Sequence, residues 1–164
     1  GSYAAMMKKE ESLGYVYRLA NASSQMLQAT LAGDTETMAK IIQYAHNTEV
    51  PILSYNNETE LSAIINLVYL AARDQYRVER EDKAGKGYVD FIFYPIRHDQ
   101  DCMILELKVD HKLEEAIAQI KEKEYALRFK GKTAERKEYT GRILAVGISY
   151  NSKTKEHECK IEQL

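Results

Sequence analysis

Two acidic residues and a lysine stand close together in the predicted strands at the middle of the chain. Asp90 lies in the segment Tyr88–Tyr94. Glu106 and Lys108 lie in the segment Cys102–Val109, after a turn-like stretch. Both segments are rich in aromatic, β-branched or apolar residues, which predicts two strands. If the stretch between them closes a hairpin, an in-register pairing places Asp90 directly opposite Glu106.

The side chains of Asp90, Glu106 and Lys108 then share one face, because side chains alternate along a strand with a period of two. Like charges directly opposite each other destabilise a sheet, and half-buried carboxylates need a cation nearby. Lys108 is one such cation. A divalent metal is another, since two carboxylates with open positions suit Mg²⁺, which also binds phosphate oxygens. Both explanations stay open: an ion pair at a solvated sheet end, or a metal site.

A third acidic candidate, Glu58, stands at the start of a helix predicted over residues 57–73. Asn57 suits the N-cap and Glu60 completes a capping box, so Glu60 has a structural explanation. Glu58 precedes Leu61 of the buried stripe by three residues, which places it on the buried side of the helix. It is either a first-turn acid favoured by the helix dipole or a further acidic residue of the site.

Gln119 lies in a second long helix, predicted over Lys112–Lys130 with Leu127 on its inner face. Its side chain points partly inward. It is therefore either a satisfied boundary residue or a group that reaches the end of the sheet.

The composition excludes some classes of protein. The chain has 164 residues, a net charge of −2 and a pI near 6.1, so it has no global basic footprint for nucleic acid. Any such contact needs a local patch or another domain. There is no transmembrane run or signal-peptide pattern, and Cys102 and Cys159 are interpreted as buried thiols. We expect a cytoplasmic globular protein, and we exclude Gly1 and Ser2 as a tag remnant.

The predicted elements follow the order helix, three strands, helix, two strands, behind a pair of N-terminal helices. Besides the two central segments, the predicted strands are residues 76–80, 142–150 and 157–163. Residues 81–87 are predicted to be a flexible turn. A right-handed parallel crossover should join the third and fourth strands. We predict an α/β fold with a mixed central sheet and helices on both faces.

The domain organisation is predicted from the same elements. Residues 1–50 are interpreted as an N-terminal helical segment, either a linker or the tail of a preceding domain. Residues 51–164 are interpreted as the main domain.

A helix, an antiparallel strand pair carrying Asp90 and then Glu106-Leu107-Lys108, and a crossover helix together resemble the PD-(D/E)XK nuclease core. The motif gains specificity because both parts end on one face of neighbouring strands. Longer segments resemble the C-terminal nuclease-like domain of predicted AAA-ATPase-like proteins of gut anaerobic bacteria. These segments are YNNETELSAIINLVYLAARDQYRVERE, AGKGYVDFIFYP, ILELKVD, AIAQIKEKEYA and ILAVGISYN.

This resemblance implies a restriction-endonuclease-like core that hydrolyses DNA with Mg²⁺ or Mn²⁺. Asp90, Glu106 and the backbone carbonyl of Leu107 would hold the metal, and Lys108 would position or activate the attacking water. Glu58 would match the first-helix acid of many members, and Gln119 a helix glutamine near the site.

Two departures from the pattern accompany the match. Members of the exonuclease branch often carry Gln-x-x-x-Tyr, whereas Tyr125 follows Gln119 by six residues, off the same helical face. This spacing counts against a role for Tyr125. The proline that usually precedes the aspartate is Val89 here.

The resemblance also implies an ATPase-like domain ahead of this region as a partner within one longer protein. This chain has no P-loop, because its Gly131-Lys132-Thr133 follows a predicted helix and lacks the first glycine of that motif. Two functions are therefore expected: a metal-dependent DNA nuclease, or a catalytically silent interaction or regulatory module attached to an ATPase. The acidic net charge and the missing basic groove favour the second. The intact set of Asp90, Glu106 and Lys108 favours the first, because a purely structural module does not need that cluster.

Overall fold

A computed structural model describes residues 2–46, 58–83, 88–129 and 138–164. Its helices are α1 (Ser2–Ala32), α2 (Thr35–His46), α3 (Glu58–Val68) and α4 (Leu113–Glu122), with 3₁₀ helices at Leu70–Asp74 and Tyr125–Phe129. Its strands are β1 (Tyr76–Lys83), β2 (Tyr88–Pro95), β3 (Cys102–Val109), β4 (Ile143–Asn151) and β5 (Glu156–Gln163). Within these ranges, the search for a helix long and apolar enough to cross a membrane finds none.

The five strands form one mixed sheet in the order β1-β2-β3-β4-β5. Neighbours are antiparallel except β3 and β4, which are parallel and are connected through α4. Helices cover both faces, so the predicted α/β architecture with a restriction-endonuclease-like core is confirmed. The central position of β3 explains why all eight of its residues are buried.

One face of the sheet packs against α1, α2 and α3 around an apolar core. That core joins Met26, Met38 and Ile42 of the first two helices to Leu105 and Val146 of the central strands. Side chains on this face are aromatic or aliphatic along the length of β2, β3 and β4. We call it the helical-bundle face.

The opposite face packs against α4 and the 3₁₀ helix that follows it. Its apolar part joins Ile92, Ile104 and Ala145 to Ile117 and Ile120. Aromatic contacts hold this 3₁₀ helix on the sheet, since the Phe129 ring packs at a tilt against Tyr94 and edge-on against Tyr139. We call this the α4 face, and Glu106 and Lys108 lie on it.

The junction between α1 and α2 forms as its residues predict. Gly33 adopts φ 73°, the left-handed conformation that favours glycine after a helix end. Asp34 then caps α2, accepting hydrogen bonds from the Thr37 amide at 3.2 Å and the Thr37 hydroxyl at 2.6 Å.

Both cysteines are free thiols, as predicted. Cys102 is fully buried and Cys159 is partly buried at the edge of the core. Burial raises the pKa of each thiol to about 12, so neither is a nucleophile at neutral pH.

Three predicted boundaries are wrong. The strand β1 runs to Lys83, so residues 81–83 are not a flexible turn. Their backbone pairs with residues 88–90 of β2, and this tertiary pairing overrides their polar composition. The second long helix ends at Glu122 instead of Lys130, and Leu127 is exposed rather than inward. The predicted helix at 57–73 likewise ends at Val68 and continues as the 3₁₀ helix. The predicted extended link at 49–55 and the Asn57 cap lie outside the described residues.

Candidate active site

A row of residues crosses the sheet at one level, and three of its members are acidic. Glu81 of β1 pairs with Asp90 of β2, and Asp90 pairs with Glu106 of β3. The row continues through Gly147 of β4 to Lys160 of β5. Cα partners in a sheet present their side chains on the same face, so the row lies on the α4 face. The register assumed from sequence is therefore confirmed for Asp90 and Glu106.

Glu106 and Lys108 are the buried charges of this face. Both are 0% exposed, because β3 is central and α4 covers them. The Lys108 Nζ lies 3.9 Å from Glu106 Oε1. A buried carboxylate is costly unless a cation is close, so this pair is coupled energetically.

Gln119 of α4 reaches the sheet. Its Oε1 accepts a hydrogen bond from Lys108 Nζ at 2.9 Å, which fixes the ammonium beside Glu106. The side chain is half-buried and contacts Lys108 of the sheet, which agrees with both alternatives predicted for it. Gly147 permits the close approach of α4, because a Cβ there would lie 3.1 Å from the Ala116 Cβ and 3.2 Å from the Leu113 Cδ1.

A second lysine, Lys123, joins the pair from the end of α4. Its Nζ lies 3.5 Å from the same oxygen, Glu106 Oε1, and its side chain is 22% exposed. The helix stops at Glu122 and Glu124 adopts φ 51°, a left-handed turn that redirects the chain toward the sheet. This turn is what brings the residues after Glu122 back over the site.

Tyr125 also lies on the site side, contrary to the helical-face argument. That argument assumed a continuous helix, and the turn at Glu124 removes the assumption. The buried Tyr125 hydroxyl donates a hydrogen bond to Glu81 Oε2 at 3.1 Å. Arg128 forms an ion pair with the other oxygen of Glu81, and that hydrogen bond raises the pKa of the Arg128 guanidinium. The acidic row is thus tied to the 3₁₀ helix at its outer end.

Sequence reasoning missed Glu81, Lys123 and Arg128. For Glu81 the signal was the alternation of Arg77, Glu79 and Glu81, which continues the β1 pattern beyond residue 80. Lys123 and Arg128 carry no comparable signal, because their positions depend on where α4 ends.

Two predicted site residues are described only in part. Asp90 is placed by its strand register and Glu58 by its position as the first residue of α3, and their side chains lie outside the described part of the structure. Leu107 lies in β3 between Val89 and Ile148, and its side chain belongs to the helical-bundle face.

The donor types in the row fit a hard divalent cation. Two carboxylates on adjacent strands and a backbone carbonyl are the oxygen ligands that Mg²⁺ and Mn²⁺ take. Among the side chains that the structure describes, no three His, Cys, Asp or Glu residues come together as a metal site. The fit rests on donor chemistry and on the register that places Asp90 opposite Glu106.

Comparisons with known proteins agree with this geometry. A family model of the PD-(D/E)XK nuclease superfamily matches residues 56–159. The match contains β1 to β4, α3, α4 and every residue of the acidic row except Lys160. Searches of curated proteins and of solved structures returned no match.

Proposed function

Because the chain belongs to the PD-(D/E)XK nuclease superfamily, we propose that it is a divalent-metal-dependent phosphodiester hydrolase that cleaves DNA. One observation carries the proposal: Asp90 stands directly opposite Glu106, with the buried Lys108 two residues along the same face. Two facing acids and an adjacent buried lysine are costly for stability alone. They are the groups that metal-assisted hydrolysis of a phosphodiester requires.

Asp90, Glu106 and the backbone carbonyl of Leu107 would hold the metal. When bound, the metal supplies a polarised phosphoryl oxygen and a bound water of lowered pKa. Glu106 is suited to this role, because its burial keeps the carboxylate in one position. Glu58, at the start of α3, is proposed as a further acidic residue of the site.

Lys108 would orient the attacking water and stabilise the charge that develops on the phosphate. Its Nζ is preorganised for this task by the 2.9 Å hydrogen bond to Gln119 Oε1. Gln119 is thus proposed as a positioning residue that acts through the ammonium. A lysine that is fixed and shielded from water exerts a stronger field than one in bulk solvent.

The test uses the full chain and the Glu106→Gln variant, with Glu36→Gln as the matched control. Glu36 is exposed on α2, on the other side of the sheet, and the substitution changes the charge by the same amount. Labelled duplex, single-stranded and branched DNA are incubated with Mg²⁺, Mn²⁺ or EDTA. We expect metal-dependent cleavage by the wild type and by Glu36→Gln, and no cleavage by Glu106→Gln. Equal cleavage by all three proteins would show that Glu106 is not the metal ligand.

A second candidate function is a catalytically silent module, and one observation favours it. Glu106 Oε1 already has two lysine ammonium groups within 4 Å, so the carboxylate is neutralised by the chain itself. Thermal unfolding with and without millimolar Mn²⁺ separates the two functions. A ligand that binds only the native state raises the unfolding midpoint. An unchanged midpoint in a folded wild type would support the silent module.

The wider setting is also proposed. We propose that this region works in the cytoplasm beside an ATPase-like domain of the same longer bacterial protein. The support is the similarity of its segments to the C-terminal part of AAA-ATPase-like proteins. Coexpression with that domain and a pull-down under ATP would test the association.

A further inference from the structure

Two lysines approach one oxygen of Glu106, and they differ in how they are held. Lys108 is 0% exposed and donates to Gln119 at 2.9 Å, so its ammonium has no route to solvent without breaking the packing of α4. Lys123 is 22% exposed and follows the last residue of α4. Its Nζ lies 5.9 Å from the ring centroid of Tyr125. Lys108 is therefore fixed by burial, whereas Lys123 is partly exposed to solvent.

We propose that Lys123 is a displaceable counter-cation: it neutralises Glu106 in the metal-free protein and leaves when a divalent metal binds. The inference rests on the proposed function, since it concerns the same carboxylate. It adds that the chain carries its own competitor for the metal, which sets the metal concentration at which the site fills.

The physical reason is the number of positive charges that one carboxylate can hold. Lys123 Nζ lies 3.5 Å from Glu106 Oε1, so a divalent metal held by this carboxylate would add positive charge beside an ammonium that is already there. Neighbouring like charges repel strongly in a partly buried site. Lys108 cannot yield, because it is buried and bonded to Gln119. Lys123 can, because its flexible stem reaches solvent and water rehydrates its ammonium.

Without Lys123, the buried Glu106 would keep the Lys108 ammonium at 3.9 Å and lose the closer ammonium at 3.5 Å. Burial of a poorly compensated carboxylate is unfavourable, so the metal-free state would lose stability. The metal-bound state would not lose this contact, since the contact is already broken there. Removing Lys123 should therefore both strengthen metal binding and weaken the metal-free fold.

The experiment compares Lys123→Gln with the control Lys121→Gln by calorimetric titration with Mn²⁺ and by thermal unfolding. Lys121 lies two residues earlier, is 53% exposed and pairs with Glu162 at 2.6 Å, away from Glu106. The two substitutions change the net charge equally. For Lys123→Gln we expect the Mn²⁺ Kd to fall at least about tenfold. Its unfolding midpoint should be lower than that of the wild type without metal and equal to it at saturating Mn²⁺. Lys121→Gln should keep the wild-type Kd.

Each other outcome has a defined meaning. If the wild type binds Mn²⁺ and Lys123→Gln binds it with the same Kd, the counter-cation is wrong while the metal site stands. If Lys121→Gln bound Mn²⁺ more tightly by the same factor, the change in net charge would explain the effect, and the proposal would be overturned. If the wild type itself binds no Mn²⁺, the proposed function fails first. Should Lys123→Gln be unfolded without metal, Mn²⁺ must restore its fold, and Lys123→Arg must bind Mn²⁺ like the wild type.

Discussion

The two faces of the central strands place opposite chemistry at the same level of the sheet. On the helical-bundle face, Leu105 and Leu107 pack among apolar side chains from α1, α2 and α3. On the α4 face, Glu106 and Lys108 of the same strand form a buried ionic cluster with groups from the end of α4. Burial of apolar side chains on the first face stabilises the fold. Burial of charged groups on the second face costs free energy. The charged groups of β3 lie on one side of the strand because its side chains alternate between the two faces of the sheet.

The largest effect on stability should follow from removing the buried ammonium of Lys108. Lys108→Met removes the fully buried ammonium beside Glu106 and the donor of the hydrogen bond to Gln119 Oε1. Removing one partner of a buried ion pair costs about 3–5 kcal/mol, and we expect a loss of that size in the free energy of unfolding. Urea denaturation measures it.

A matched change on the other face sharpens this prediction. Leu107→Ala, one residue away, should cost about 2–5 kcal/mol through a cavity, with no influence from Mn²⁺. The double change Glu106→Leu with Lys108→Met should recover much of the stability lost in Lys108→Met, because an apolar pair replaces an ionic one. If the double variant were less stable than Lys108→Met, the ionic cluster would not be a cost to the fold.

A smaller effect should follow from adding a methyl group at Gly147, where the packing of α4 on β4 leaves no room for one. Gly147→Ala places a Cβ 3.1 Å from Ala116 and 3.2 Å from Leu113, so α4 must shift outward by a few tenths of an ångström. We expect a loss of about 1–3 kcal/mol on urea denaturation, the usual cost of overpacking. Ala145→Gly, on the same strand and face, removes volume instead and is the control for strand propensity. An unchanged stability in Gly147→Ala would mean that α4 is free to move.

The smallest effect concerns an ion pair at the far end of the strands. Asp101 accepts hydrogen bonds from Arg142 at its amide (2.8 Å), Nε (3.2 Å) and Nη2 (2.7 Å). Burial alone would raise the pKa of Asp101, but these bonds and the charge of Arg142 together hold it below the usual 3.8. A lowered folded-state pKa gives stability that is present above the unfolded value and lost as the pH falls through the folded value.

Asp101→Asn should therefore cost about 1 kcal/mol near pH 7, since the pair is partly exposed. The cost should shrink as the pH falls below about 3.8, the range in which Asp101 of the wild type becomes protonated. Urea denaturation of both proteins between pH 7 and pH 3 measures it. If the difference in the free energy of unfolding did not change with pH, the charge of Asp101 would not be the cause of the lost stability.

The central strands and their register were predictable because the pattern there is local. Apolar alternation fixed the faces of β2 and β3, and a short turn fixed Asp90 opposite Glu106. The end of α4 was not predictable, since residues 122–124 contain neither glycine nor proline and the left-handed Glu124 depends on tertiary packing. That one turn decides where Lys123, Tyr125 and Arg128 lie. Sequence therefore predicted the candidate residues on β2, β3 and α4, and missed Glu81 on β1 and the residues after α4.

The shared core of the helical-bundle face determines how short a fragment of this protein can be and still fold. The segment that matches the family begins at residue 56, yet Met26, Met38 and Ile42 lie in the same core as Val146. Across the edge of the sheet, Gln43 Oε1 also lies 2.8 Å from the His157 ring Nδ1. The segment that matches the family is therefore shorter than the segment that forms the hydrophobic core. A fragment trimmed to residues 56–159 would keep the three acidic residues of the row but lose α1 and α2. The apolar surface of the helical-bundle face would then be exposed, so the fragment should be recovered as aggregate.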